Sequence, residues 1–597
     1  MIKYIAKFLY ILPTNALNLF WLLLLFLISP FLDTIGIGGI GAFTGLATNP
    51  KSIRQNDWLL GIYNQLNLNN VQEFICLLGL GILLIFYIKS ALSFWIQGET
   101  FRFSYSQQRK LRLRLMSIYL AAPYTFHLKT NTALLIQNIF NETNQFSNNI
   151  IIPFLRTISE FLVLCCLVLL LAKTNITATL TVSALLLIAF LIYNLFRAKQ
   201  AYLGKESSQA QAQAIRILNH ALGGFKEMRV IGCEEYFETQ MDEEAKRFTE
   251  SRSSYQVLRL IPRILIEVFL VTFLIGFTGV FVLLSKESQN LTSTLSIFAV
   301  ASLRLMPSVS QFMASIGTLQ NSSYTLDKLY FDVKEIEQLE SSISLNLPQP
   351  PRDSSLPKVM PFSNQIILDQ VTYRYPDSPE PALQNISLVL NKGQSIAFIG
   401  KSGAGKTTLV DVILGLLTPE SGDIRVDEQS IYKNLRSWQN LVGYIPQSIF
   451  LIDDTLERNI AFGVPDALID LERLNKSIAA AQLLELVDQL PDGIKTTVGE
   501  RGVRLSGGQR QRVGIARALY HQREILVMDE ATAALDAETE SLVTESIKSL
   551  SGTKTIMIIA HRLSTIKHCD CIYLIEQGRI VNSGSYQEVV GETETLS

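Results

Sequence analysis

The chain has 597 residues, too many for one compact core, and 48% of them are hydrophobic, with a positive mean hydropathy that is high for a protein dissolved in water. A formal net charge of -1 argues against an overall electrostatic attraction to nucleic acid and leaves only a local basic patch as a route to it. Six cysteines (Cys76, Cys165, Cys166, Cys233, Cys569, Cys571) show no C-x-x-C spacing and are read as inert packing residues, not as a disulfide or metal framework.

Basic residues precede an apolar run at the N-terminus, as in a secretory signal, but no small-residue cleavage site follows and the run continues through Ile35 to Phe43. It therefore reads as a retained first membrane helix. Apolar stretches at 17–45, 72–97, 150–172, 175–196, 257–285 and 292–318 predict six spans. Arg102, Arg109, Lys110, Arg112 and Arg114 follow span two, and Arg197, Lys199, Lys205, Arg216, Lys226 and Arg229 follow span four. The excess of cations places those segments, and both termini, in the cytosol.

Residues 46–71 form the one long outer loop, where Asn56 and Asp57 can cap a helix with Trp58, Leu59, Ile62 and Leu66 on one face. Such a helix either lies on the outer membrane surface or packs on neighbouring spans. The cytosolic segments 98–149 and 197–256 are long and helix-compatible, so the spans are expected to continue beyond the bilayer. Pro and Gly interrupt the pattern at Ala121–Leu128 and Gly223–Val230, where short helices are expected at the cytosolic turning points. Residues 1–330 thus read as a transmembrane domain and 331–365, Ser- and Pro-rich from 341 to 363, as a linker. From 366 to 597, short apolar strands alternate with helical patterns, the signature of an α/β domain with a largely parallel sheet.

In that domain the strand Ser395–Ile399 runs into Gly400, Lys401, Ser402, Gly403, Ala404, Gly405, Lys406, Thr407 and Thr408, a phosphate-loop pattern in its required strand-loop-helix setting. The glycines let backbone N–H groups close on phosphates, Lys406 reaches the outer phosphates, and the Thr407 hydroxyl is placed for Mg²⁺. About 120 residues later the apolar strand Ile525–Met528 ends in Asp529, a metal-side carboxylate, and Glu530, the expected general base. Between them stands Leu505-Ser506-Gly507-Gly508-Gln509.

With Tyr375 in YRYP, Gln447 in YIPQ, Glu500 in VGERG, Ala534–Asp536 in AALD and His561 in IIAHR, all in order, the domain resembles the ABC (ATP-binding cassette) ATPases. The resemblance implies that Tyr375 stacks on adenine and Gln447 touches Mg²⁺ and the attacking water. It further implies that Ser506, Gly507, Gly508 and Gln509 close on ATP held by an opposite subunit, while His561 contacts the γ phosphate and orients Glu530. Ala534 departs from the Ser common at its place. One chain carries one phosphate loop and one signature, so a complete site needs two chains; the simplest implied assembly is a homodimer binding ATP and Mg²⁺ in the bacterial plasma (inner) membrane, the alternative being a heterodimer with a paralogue.

The membrane half, placed N-terminally with two deep cytosolic excursions, resembles the exporter class (type IV ABC fold). More narrowly it is similar to bacterial lipid-linked oligosaccharide flippases and heterocyst-envelope polysaccharide or glycolipid exporters. The residues that carry this are the long outer loop, Asp33–Gly38, the GGFKEMRV turn, and PRILIEV and LRLMPS in spans five and six. Lys89, Arg263 and Arg304 interrupt apolar spans, and a cation at bilayer depth marks a functional site by default. Facing a cavity they could bind the pyrophosphate of a lipid carrier. The alternatives are snorkelling to the interface or pairing with Glu160 or Glu267. Competing functions are a drug, lipid or peptide exporter, an ATP-gated channel, and a soluble ABC ATPase, the last of which has no use for six spans.

Overall fold

The computed structural model describes residues 2–12, 16–48, 61, 63, 65, 70–284, 291–344, 360–376, 378–529, 537–559 and 566–594. Glu530, Ala534–Asp536, His561 and the outer-loop positions Asn56, Asp57, Trp58, Leu59, Ile62 and Leu66 lie outside the described residues. The chain divides into two compact units, one of residues 1–121 with 130–337, the other of residues 122–129 with 338–597.

Among the described residues the first unit is helical: α1 (Ile2–Ile11), α2 (Ala16–Thr48), α3 (Val71–Ala121), α5 (Thr132–Thr174), α6 (Ile176–Gly223), α7 (Phe225–Ile231), α8 (Glu234–Leu284), α9 (Leu291–Asn321) and α10 (Ser323–Ser344) as far as Glu337, with α4 (Tyr124–Lys129) assigned to the second unit. Among the described residues, five stretches are long and apolar enough to cross a bilayer: Phe20–Ala47, α3, α5, Ile176–Phe196 and Ile297–Asn321. The expected span at 257–285 falls on the C-terminal part of α8. At 51 residues, α3 is about 77 Å long, far more than a hydrocarbon core of about 30 Å, so it runs well out of the membrane.

Small residues let these helices approach closely. A Cβ on Gly36 of α2 would sit 3.1 Å from Phe86 of α3, and one on Gly41 would overlap Ile297 of α9. α5 carries two π-helical stretches, Asn138–Glu142 and Phe146–Ile151. The turn at Gly224 opens α7, and Gly232 closes it with φ +74°, a left-handed stop. The helix α10 runs through Ser344, so the segment expected to be linker from residue 331 begins as helix.

The second unit holds two sheets. β1 (Gln365–Tyr373), β2 (Leu383–Asn391), β4 (Ser421–Val426) and β5 (Gln429–Ser430) form an antiparallel sheet in the order β2-β1-β4-β5. The second, ordered β10-β9-β3-β8-β7-β6, is parallel from β9 to β6. Its strands are β3 (Ser395–Ile399), β6 (Val442–Ile445), β7 (Ile525–Asp529), β8 (Thr555–Ile559), β9 (Cys571–Glu576) and β10 (Arg579–Gly584).

β7 and β8 are buried throughout, as expected for strands covered on both faces. Side-chain alternation sorts two cores. Ile396, Phe398, Ile525, Val527, Met557 and Ile559 face one, whereas Ala397, Leu526, Met528, Ile556 and Ile558 face the other. The helix α11 (Lys406–Ile413) packs Leu409 and Val410 into the first core, and α12 (Gly507–Tyr520) packs Val513 and Ala516 into the second.

All six cysteines are free. Cys76 and Cys165 are exposed, so the packing role expected of them does not hold; both sit on outward faces of apolar helices. Burial pushes the Cys569 thiol up to about 12, which keeps it protonated and unreactive.

Candidate functional site

Parallel register brings the ends of β3, β6, β7 and β8 to one edge, since Phe398 lies opposite Ile559, Asp529 opposite Ile559, and Ile445 opposite Met528. Ligands of open α/β sheets bind at that carboxyl edge. The loop after β3 needs its glycines for two physical reasons. Gly400 at φ +149° and Gly405 at φ +105° occupy backbone conformations that side chains disfavour, and a Cβ on Gly405 would lie 2.9 Å from the Ala382 carbonyl oxygen. The resulting turn delivers the chain into α11 with its N–H groups exposed to a ligand.

Lys406, buried at the first position of α11, donates from Nζ to the carbonyls of Gly400 at 2.8 Å and Lys401 at 3.0 Å. The ammonium is thus held over the loop. Thr408 Oγ1 and the Tyr375 hydroxyl are 3.2 Å apart, and Tyr375 meets Tyr373 edge-on at 5.0 Å between ring centres. Asp529 is buried at the end of β7 with the Tyr444 hydroxyl 3.5 Å from Oδ2. Gln447 follows two residues beyond the end of β6.

Sequence reasoning missed two groups. Asp411 is buried on α11, four residues after Thr407 and hence on the same helix face, a spacing that was the available signal. Burial first and the Asp529 charge second push its carboxyl up to about 6. Tyr124 of α4 is the other. Its ring packs against the core that holds α11, and burial, then the nearby Asp411, push its hydroxyl up. The same two causes, burial and a carboxylate, here Asp529, raise the Tyr444 hydroxyl.

Two carboxylates crowded at a sheet edge beside the Thr407 helix face suit a divalent cation, which would relieve their repulsion. Thr407, Asp529 and Gln447 would hold Mg²⁺ there, and when bound it would offset phosphate charge.

The signature residues form a different local structure. The Ser506 side chain accepts from the Gln509 N–H at 3.2 Å, while the Gln509 side chain accepts from the Ser506 N–H at 2.8 Å. This capping box starts α12 and leaves the Gly507 and Gly508 N–H groups at a positive helix end. Because α11 and α12 cover opposite faces of the sheet, the signature does not join the phosphate loop of its own chain.

In the membrane unit, Lys89 Nζ lies 2.6 Å from Asp33 Oδ1 and Arg304 Nε 3.1 Å from Oδ2. Glu160, one of the two carboxylates offered as an alternative, lies beside Arg304 without an ion pair to it among the described residues; the direct ion-pair partner is Asp33. The Gly36–Phe86 approach draws α2 and α3 close enough for it. Arg263 does not join them: it is exposed and, among the described residues, has no ion pair.

A glycine loop on a parallel sheet, a signature helix and a multispan helical unit define an ATP-driven membrane transporter. Comparison with known proteins agrees. Residues 13–306 match the ABC transporter transmembrane region and residues 383–533 the ABC transporter family. The ATP-dependent lipid A-core flippase of Cupriavidus metallidurans is 30% identical over 81% of this chain and 80% of its own length. That of Ralstonia nicotianae is 29% identical over 80% and 79%. A bacterial Atm1-family ABC exporter with ATP bound shares the fold, with a TM-score of 0.74 at 20% identity across 96% of this chain and 97% of that one. The chain belongs to the ABC transporters: it is a membrane protein of the exporter fold that binds ATP and couples its hydrolysis to translocation.

Proposed function

We propose that the protein is a homodimeric flippase that moves a lipid-linked oligosaccharide or related glycolipid with an anionic headgroup from the cytosolic side of the bacterial inner membrane, its N-terminus and ATPase domain in the cytosol. The observation that carries this is the convergence of Lys89 and Arg304 on buried Asp33 within apolar helices. Cations are expensive at that depth and are retained where they serve a substrate. The flippase names of the relatives point the same way.

In this reading ATP lies on the loop Gly400, Lys401, Ser402, Gly403, Ala404, Gly405, Lys406, Thr407 and Thr408, with Tyr375 stacked on adenine. Lys406 trades the carbonyls of Gly400 and Lys401 for phosphate oxygens. Ser506, Gly507, Gly508 and Gln509 of the second copy close the site, and Glu530, oriented by His561, takes the proton from the attacking water. Glu530→Gln is then expected to bind ATP, lose nearly all hydrolysis and accumulate as a closed dimer; normal turnover would remove Glu530 as the base.

The transport reading is tested by reconstituting the full chain in liposomes with polyprenyl-linked glycans and following headgroups leaving one leaflet. ATP-dependent loss supports it. Hydrolysis stimulated by apolar drugs or peptides but not by any glycolipid would replace it with general export.

A further inference from the structure

Asp33 lies near the middle of the apolar run Phe20–Ala47, about 20 Å from either end. Its side chain is 2% exposed and both carboxylate oxygens are engaged, one by Lys89 and one by Arg304. One anion between two cations leaves these three side chains one positive charge in excess, with Glu160 the further carboxyl beside them. Donors are left over as well. Arg304 meets Asp33 through Nε, so its two Nη groups remain as a fork suited to phosphate oxygens, and Lys89 uses one of three ammonium protons.

Close by, Glu160 of α5 is buried among Arg304, Asp33 and Ser308, whose hydroxyl it meets. Ser308 stands one turn beyond Arg304 on the same face of α9, within reach of a phosphate bound to the Nη fork.

We propose that Asp33 is a specificity-determining counter-ion: by neutralising one of the two cations it sets the Lys89–Arg304 site for a lipid headgroup bearing one negative charge, a phosphodiester, against one bearing two, a diphosphate. The inference rests on the flippase reading of the same site. Selection arises because an unmatched charge in a low-dielectric setting is costly, and a second phosphate would meet the Asp33 carboxylate, with Glu160 beside it adding to the repulsion when ionised.

The test uses the full chain in nanodiscs with three lipids, polyprenyl phosphoglucose, polyprenyl diphosphoglucose and the neutral glucosyl diacylglycerol, measuring the concentration that half-stimulates ATP hydrolysis. Wild type is expected to respond to phosphoglucose at about tenfold lower concentration than to diphosphoglucose, with little response to the neutral lipid. Asp33→Asn is expected to reverse that order. Asp33→Asn combined with Lys89→Met, which restores the original charge, is expected to return it. An unchanged ratio in Asp33→Asn, or an equal loss of response to both charged lipids in all variants, would make Asp33 a structural tie between helices and overturn the inference alone. A wild type indifferent to all three lipids would overturn the flippase reading with it.

Discussion

At the scale of single residues, the phosphate loop is where sequence and structure agree most directly, because its glycines are dictated by backbone geometry. Gly405→Ala places a methyl against the Ala382 carbonyl at a left-handed φ, so it should weaken nucleotide binding at least about tenfold, measured with a fluorescent ATP analogue. Unaltered affinity would show that the loop can relax.

Asp411 was not legible as a site residue, since its importance lies in what surrounds it. Asp529, Tyr124, Tyr373 and Tyr444 crowd it, and its carboxyl is raised to about 6. The fold therefore prefers the protonated form. The stabilisation is complete below the ordinary carboxylate range near pH 4 and is lost as pH rises through 6. Asp411→Asn should melt higher than wild type at pH 7.5, and the gap should close toward pH 4. Parallel melting curves across that range would rule out a titrating Asp411. Asp33 was visible as a carboxylate inside an apolar run, but pairing it with Lys89 and Arg304 needed the contact between helices 56 and 271 residues apart in sequence.

At the scale of elements, the helices and strands follow from hydrophobic periodicity, but the π stretches of α5 do not. A π turn bonds residue i to i+5 and so carries one residue more than an α turn, which no pattern of apolar positions announces. Its effect is to keep Asn138, Glu142, Phe146, Ser147 and Ile151 on the buried face. There Ser104 and Ser147 hydroxyls meet at 2.7 Å, Asn138 donates to the Tyr119 hydroxyl at 3.1 Å and to Asp332 at 2.9 Å, and Lys328 reaches Glu142 at 3.2 Å. A polar seam thus joins α3, α5 and α10. Removing one member of its buried ion pair strands the other. Lys328→Met alone should lower stability by about 1 kcal/mol more than Lys328→Met with Glu142→Gln, read from unfolding in detergent. An additive pair would mean that water already screens the carboxylate.

At the scale of the molecule, the two-part architecture of a helical membrane region and an ATPase was readable from hydropathy and ordered motifs. The antiparallel sheet β2-β1-β4-β5 was not, because its strands lack a motif of their own. The placement of α11 and α12 on opposite faces of the parallel sheet has a consequence for assembly. If each site joins a loop from one copy to a signature from another, Lys406→Ala and Ser506→Arg proteins are each inactive, yet mixed dimers contain one intact site. Co-reconstituting the two should recover up to about a quarter of wild-type hydrolysis. No recovery, with exchange verified, would argue that a copy hydrolyses ATP alone.

Residues 122–129 belong by packing to the ATPase although the linear diagram puts them in the membrane half. Tyr124 shares its surroundings with Tyr375 and Asp411, residues more than 250 positions away. A lesion mapped to residue 124 by genetics would be blamed on substrate passage, when its chemical address is the ATPase core beside Asp411.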